Sequence, residues 1–362
     1  MKSNRYNSIM PRVALENLKL IEFDDLVYLI GKSLEEIFSF LANTPYREEI
    51  VNTCGPKVEP GLLEEALLQN YARIFNKLME SSSDYIKRFL LSTLDKFNAL
   101  NLKTLFRMVH AKINPEDILP HIVPLGLYNR QKCEDILTKF NSVSEIINSI
   151  EDKDFGYTLK VILTTKNILH DLTPLEAALD REAFTRMLKV IKNLNRKDKK
   201  IAKNIIGIEI DAWNVIIILK YKSMINNYEN IEEKLMPTSL INKETLLSVI
   251  NDTNLKSALQ HLVTAVETQH EVYLNCFTKL VEESNSPMSR LEFILERAPL
   301  EMSFFEMKKN FRYYNIGFIL SFLYLKWAEI KNLISIVNAT ARKVGEEQIR
   351  DSLILPYSLI SQ

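Results

Sequence analysis

At 362 residues the chain exceeds one compact core and suits two or three domains of roughly 100 to 150 residues each. Lys plus Arg and Asp plus Glu balance at 46 each, so no global field draws in nucleic acid or an anionic membrane surface. With 46% hydrophobic residues the composition is that of a globular protein, and only 8 glycines argue against hairpin-rich folds and phosphate-cradling loops, which leaves an all-α chain as the best fit.

The opening Met-Lys-Ser-Asn-Arg-Tyr-Asn is polar and does not read as a secretion signal. Leu15, Leu18, Leu20, Phe23 and Leu26 then precede a helix start at Ser33, where Glu36 three residues on makes a capping box. These first forty-odd residues read as helices ahead of the main body. Thr44-Pro45-Tyr46 breaks the pattern, and Gly55 to Gly61, with Pro56 and Pro60, reads as a loop.

From Gly61, Leu62, Leu63, Ala66, Leu67, Tyr71, Ile74 and Leu78 fall at helical spacing. Ser81 to Ser83 opens a second helix, with Tyr85, Phe89, Leu90, Leu94 and Phe97 inward, and a third is expected from about Leu100 to Ile113, before Pro115. Two short helical segments between Gln131 and Ile150 read as a link. Helices follow near Tyr157 to His170, Pro174 to Leu194 and Lys199 to Tyr228, with the charged run Arg196 to Lys200 as a solvated junction. Asn242 to Leu280 reads as a bridge. Beyond a turn at Ser284 to Ser289, helices are expected at Leu291 to Leu295, Met302 to Met307 and Ile316 to Val344. The longest apolar run, Ile316 to Leu325, is short of the roughly 20 residues of a membrane span and reads as a core helix. No stretch alternates strictly, so no sheet is assigned.

Three markers recur in one order. The first is Asn98-Ala-Leu-Asn101-Leu-Lys-Thr-Leu-Phe-Arg107, matched by Asp211-Ala-Trp-Asn214-Val-Ile-Ile-Ile-Leu-Lys220 and by Glu329-Ile-Lys-Asn332-Leu-Ile-Ser-Ile-Val-Asn338. The second, closing each unit 23, 23 and 24 residues after the central Asn, is Pro124-Leu-Gly126-Leu127, Pro237-Thr-Ser239-Leu240 and Pro356-Tyr-Ser358-Leu359. The third lies 38, 39 and 41 residues upstream: Leu-Glu-x-x-Leu at Leu63 to Leu67, Leu175 to Leu179 and Leu291 to Leu295. Shared order and nearly fixed spacing make the chain a threefold repeat.

On a helix, the acidic or amide residue three positions before each Asn shares its face. The residues one, four and five places after the Asn are apolar in all three copies and predict a buried stripe. Two readings of Asn101, Asn214 and Asn332 stand side by side. Their amides satisfy backbone groups at a neighbouring helix end, or they line one central opening. Pro-x-[Gly/Ser]-Leu reads as a helix-stopping turn with its Leu tucked into the core.

Little in the chain points to catalysis. The five histidines have no partner at helical metal-ligand spacing, and Cys54, Cys133 and Cys276 are far apart and read as buried thiols of a reducing compartment. Nucleotide-binding glycine motifs and a Gly-x-Ser-x-Gly elbow are absent, and the acidic pairs Asp24-Asp25 and Glu151 to Asp154 read as solvated surface. No cofactor, metal, nucleic acid or small-molecule substrate is expected.

The repeat marker [Asp/Glu/Asn]-x-x-Asn-[Leu/Val], with Phe97 to Arg107, Glu209 to Asn214, Lys326 to Leu333, the opening Ser33-Leu-Glu-Glu-Ile and Thr44-Pro-Tyr46, and Glu347-Gln-Ile-Arg350, resembles the C subunit of the archaeal and bacterial A/V-type ATP synthases, related to the eukaryotic V-type ATPase d subunit. The resemblance spans essentially the whole chain. Asn98 departs from the usual acidic residue, Lys220 and Asn338 stand where Arg107 stands in the first unit, and the spacer Asn242 to Ser289 reads as long.

The resemblance implies three homologous helical-bundle domains, about 1–130, 131–245 and 246–362, in a pseudo-threefold funnel. It implies a non-catalytic rotor subunit, one copy per complex. Such a subunit sits on the cytoplasmic face of the membrane proteolipid ring, receives the central-shaft subunits, and transmits torque during proton or sodium transport. In that reading Asn101, Asn214, Asn332, Asp211, Glu329, Arg107 and Lys220 are structural signature residues. The rival reading is an α-helical scaffold or adaptor unrelated to rotary ATPases.

Overall fold

The computed structural model describes residues 5–55, 57–165, 171–223, 231–310 and 314–355, and among these no strand occurs. A first helix, α1 (Met10–Asn17), precedes three short helices, α2 (Phe23–Tyr28), α3 (Leu34–Leu41) and α4 (Arg47–Cys54), and then a long pair, α5 (Pro60–Glu80) and α6 (Asp84–His110). After the single turn α7 (Pro115–Ile118) the order recurs: α8 (Arg130–Leu137), α9 (Val143–Ser149) and α10 (Lys153–Thr165), then the long α11 (Thr173–Lys192) and α12 (Arg196–Ser223). It recurs again as α13 (Lys243–Asn251), α14 (Leu255–Val266) and α15 (Glu271–Glu282), then α16 (Met288–Asn310) and α17 (Ile316–Ala341), with α18 (Glu346–Ser352) last.

Three short helices and two long ones therefore make one repeat. The opening helices, the link after Gln131 and the bridge after Asn242 are one feature seen three times. The spacer that reads as long in the sequence is the ordinary short-helix part of its repeat.

Local chemistry explains most helix starts. Ser33 and Glu36 form the capping box expected from sequence, and Ser142 with Glu145 forms a second. Asn129, Asn242 and Asn254 cap α8, α13 and α14 by accepting from the backbone N–H three residues on. Two long helices outrun their sequence reading. α6 is continuous where a break near residue 98 is expected, because its polar residues there bond groups outside the helix. α16 continues through Pro299, where two short pieces are expected, and Ser303 Oγ donates to the Pro299 carbonyl at 2.7 Å.

α6 and α17 end alike. Lys112 and Lys343 both sit at φ 56°, and the N–H two residues past the capping residue reaches back to Met108 O (2.9 Å) and Ala339 O (3.0 Å). This αL closure favours glycine. Lys112→Gly and Lys343→Gly are each expected to stabilise the protein by about 1 kcal/mol, read as a rise in the urea midpoint. An unchanged or lowered midpoint in both would refute the assignment of strain.

The described residues divide into two compact bodies, one of residues up to 190 with 326–353 and one of residues 191–325 with 354 and 355, so the divisions fall inside α11 and α17. In the first body α4 packs on α5, and Leu102, Leu105, Phe106, Ile146, Phe155 and Leu175 belong to one buried cluster. Tyr71, Phe97 and Trp327 pack there in tilted and edge-to-face pairs with ring centroids 5.0 to 5.5 Å apart. In the second body α16 lies along α12, and α13, α14 and α15 pack in succession. The residues one, four and five places after each marker Asn, Leu102, Leu105 and Phe106, Val215, Ile218 and Leu219, Leu333, Ile336 and Val337, are fully buried.

Candidate functional site: three like junctions

Asn98, Asn101, Asp211, Asn214, Glu329 and Asn332 are buried, and in each copy at least one of them joins its long helix to the segment that enters a set of short helices. Asn101 Nδ2 donates to Val123 O (2.8 Å) and Tyr128 O (2.9 Å), while Val123 N donates to its Oδ1 (2.9 Å). One turn earlier, Asn98 Oδ1 accepts from Leu127 N (2.7 Å) and Tyr128 N (3.3 Å). The loop before α8 is thus held at both ends by α6. Gly126 allows it: at φ 82° its bare Cα faces Asn98 Oδ1, where a Cβ would collide.

α12 repeats the arrangement. Asn214 Oδ1 accepts from Met236 N (2.7 Å), and its Nδ2 lies 3.5 Å from Met236 O. Asp211 Oδ2 accepts from Leu240 N (3.1 Å), Ile241 N (3.3 Å) and the Tyr273 hydroxyl (3.0 Å). Burial pushes this carboxyl up to about 7, against donated backbone and tyrosine hydrogen bonds that favour its ionised form.

On α17 the corresponding carboxylate is Glu329. Its Oε2 accepts from Ile21 N (2.7 Å), in the segment entering α2, and its Oε1 accepts from Tyr46 OH and from Lys326 Nζ (2.7 Å). Lys326 also donates to the Tyr46 hydroxyl (2.8 Å), and burial, with Glu329 beside it, pushes the Tyr46 phenol well above its usual range. Asn332 is 2% exposed. The third closing segment, Pro356 to Leu359, lies outside the described residues.

A second set of contacts joins two other markers. Six residues past each Asn, the side chain reaches the Glu of a Leu-Glu-x-x-Leu. Arg107 Nη2 meets Glu176 Oε2 (2.6 Å), Lys220 meets Glu292 Oε1 (3.5 Å), and Asn338 Nδ2 meets Glu64 Oε2 (3.3 Å). The third contact runs from the last repeat to the first. The sequence pairs the motifs only by spacing, although the sign pattern, a cation or amide against a fixed Glu, was there to be read. The Arg107 pair is largely solvated and stabilises by well under 1 kcal/mol.

The first two closing turns differ from their reading. They lead into the short helices α8 and α13, and what α6 and α12 hold is their backbone. Leu127 is 50% exposed, whereas Leu125 is buried.

Lys103 pairs with Asp180, and Arg186 bridges Asp95 and Asp152, contacts that sequence motifs did not mark. Cys54, Cys133 and Cys276 are buried and free, and burial raises each thiol. Among the described residues no group of three His, Cys, Asp or Glu could hold a metal ion, and no helix is long and apolar enough to cross a membrane.

The family model described as ATP synthase (C/AC39) subunit matches residues 12–352. Similar chains include the A-type ATP synthase C subunit of Methanocaldococcus jannaschii, 24% identical over 96% of this chain and 86% of that protein. That of Archaeoglobus fulgidus is 26% identical over 80% and 87%, and that of Methanosarcina mazei is 20% identical over 98% and 94%. A match along nearly the full chain, carrying the resemblance first visible in the repeated Asn helices, means that this protein belongs to the ATP synthase (C/AC39) subunit family.

Proposed function

We propose that the protein is a non-catalytic rotor subunit of an A/V-type rotary ATP synthase, a socket between the central shaft and the membrane proteolipid ring. The observation that carries this reading is family membership along residues 12–352. The repeated junctions support it. Head-to-tail contacts of one kind, the third returning from the last repeat to the first, suit three helical domains, near 1–130, 131–245 and 246–362, closing about an axis as a funnel. Torque transmission requires such a body to resist shear, and buried polar clamps at each join resist it better than apolar packing alone. In this reading the subunit is peripheral on the cytoplasmic face, one copy per complex. Its partners are the proteolipid ring and shaft subunits, and it carries no substrate or cofactor of its own.

The test is a tagged pull-down from gently solubilised membranes, read by native mass spectrometry. One copy of this chain recovered with a proteolipid ring, shaft subunits and a nucleotide-binding hexamer supports the assignment. Recovery without them, alone or on unrelated proteins, overturns it in favour of a helical scaffold.

A further inference from the structure

The three junctions solve one electrostatic problem in three ways, and the second solution is incomplete. The residue that holds the incoming backbone has a neighbour one turn earlier on the same helix face. In α6 the pair is Asp95 and Asn98: the amide Nδ2 donates to the Asp95 carboxylate at 3.1 Å. In α17 it is Lys326 and Glu329: the ammonium donates to the carboxylate at 2.7 Å. In α12 it is Ile208 and Asp211, and the isoleucine offers nothing. Asp211 is 0% exposed, and its Oδ1 is buried with no hydrogen-bond partner.

We propose that Asp211 makes the join between α12 and the segment entering α13 a proton-operated latch, closed when the carboxyl is protonated and loosened when it ionises. The holding group differs at the other two joins: Asn98 is an uncharged amide, and Glu329 lies 2.7 Å from the Lys326 ammonium. The groups facing Asp211 are few. Tyr273 on α15 donates its hydroxyl, and the backbone of Ser239, Leu240 and Ile241 supplies N–H groups ahead of α13. Cys276 lies next along α15 beside Tyr273, itself under the field of Glu301 on α16 and Lys279. On α12 itself, Glu209 is engaged by Tyr324. Among the described residues no Lys or Arg pairs with Asp211.

The sign follows from the burial. Taking the carboxyl out of water raises it to about 7 from its ordinary 3.8. The folded state therefore holds the proton more tightly than the unfolded one. The stability it confers is complete below the unfolded value, falls as pH rises between the two, and is lost above about 7. Between pH 6 and pH 8 the equilibrium constant for opening this join is expected to rise about tenfold.

The test is hydrogen exchange of the full chain from pH 5.5 to 8.5, corrected for the intrinsic rate and read on peptides covering residues 236–251, with the 13C shift of the aspartate carboxyls recorded in parallel. Protection of these amides is expected to fall about tenfold from pH 6 to pH 8, while peptides covering 123–137 change little, and one carboxyl is expected to titrate near 7. Tyr273→Phe removes a donor to the ionised form and should move the midpoint to higher pH; Asp211→Asn should flatten the profile. Flat protection in the native chain overturns the proposal, as does a fall that persists in Asp211→Asn. Should that variant not fold, an unmoved midpoint in Tyr273→Phe overturns it equally. None of these outcomes depends on the partners proposed above.

Discussion

Asn101→Ala is expected to destabilise the protein by about 3 to 5 kcal/mol, about half of it arising from one backbone N–H. Truncation removes three hydrogen bonds of 2.8 to 2.9 Å at a fully buried position. Two of the abandoned groups keep a second partner: Val123 O still accepts from Leu125 N, and Tyr128 O from the Cys133 thiol. Val123 N has no such alternative. An unsatisfied buried donor costs about 1 to 3 kcal/mol, and the void left by the amide adds to it.

The same truncation in the second repeat should cost less, about 2 to 3 kcal/mol, because Asn214 makes one good bond to Met236 N and one marginal one at 3.5 Å. Asn101→Asp separates donor from acceptor. It preserves the acceptor for Val123 N but turns a carboxylate oxygen toward two carbonyls, so it should be worse at pH 8 than at pH 5, where a protonated carboxyl can donate once. Urea unfolding of the four proteins at both pH values measures this. A cost below 1 kcal/mol for Asn101→Ala would mean that the loop before α8 is held by its apolar contacts instead.

The apolar stripe of each marker helix was legible because a 3.6-residue period survives in any sequence that buries one face of a helix. The triple recurrence was legible because Asn101, Asn214 and Asn332 each sit beside the same kinds of residue. The short helices were harder. α2 to α4, α8 to α10 and α13 to α15 hold corresponding places but share little beyond the capping boxes of α3 and α9, so they read as different things: an opening, a link over α8 and α9 with α10 as a separate helix, and a bridge over α13 to α15. What their entrances share is backbone N–H, which side-chain patterns do not report. Helix ends misread for a related reason. Pro299 and the polar pair Asn98 and Asn101 are poor helix-interior residues on local propensity; tertiary hydrogen bonds to the loop before α8 override it for the two asparagines, while at Pro299 the contact is local, from the Ser303 hydroxyl one turn on. The step from Arg107 to Glu176 is likewise long-range, recoverable only once both motifs are seen to recur together.

Lys326 and Glu329 yield the other large effect, and a mutational cycle separates its causes. Both side chains are nearly inaccessible, 3% and 5% exposed, and they meet at 2.7 Å with the Tyr46 hydroxyl between them. Removing the ammonium in Lys326→Met leaves a buried carboxylate with only Tyr46 and Ile21 N as donors, and is expected to cost about 3 to 5 kcal/mol at pH 8. Glu329→Gln keeps an acceptor for Ile21 N but strands the ammonium, at a similar order of cost. The double variant removes both charges and should cost far less than the sum, with a coupling of about 1 to 3 kcal/mol. Additive losses would show that the ion pair contributes nothing beyond its separate contacts. Lys326→Met carries a further signature. It gives the third junction the arrangement already present in the second, a buried carboxylate with an apolar neighbour one turn before it. Burial then raises the Glu329 carboxyl, the folded state binds the proton more tightly, and stability is lost as pH rises through the raised value. Part of the loss measured at pH 8 should therefore be recovered at pH 5, whereas Glu329→Gln, with no carboxyl to protonate, should show no such recovery.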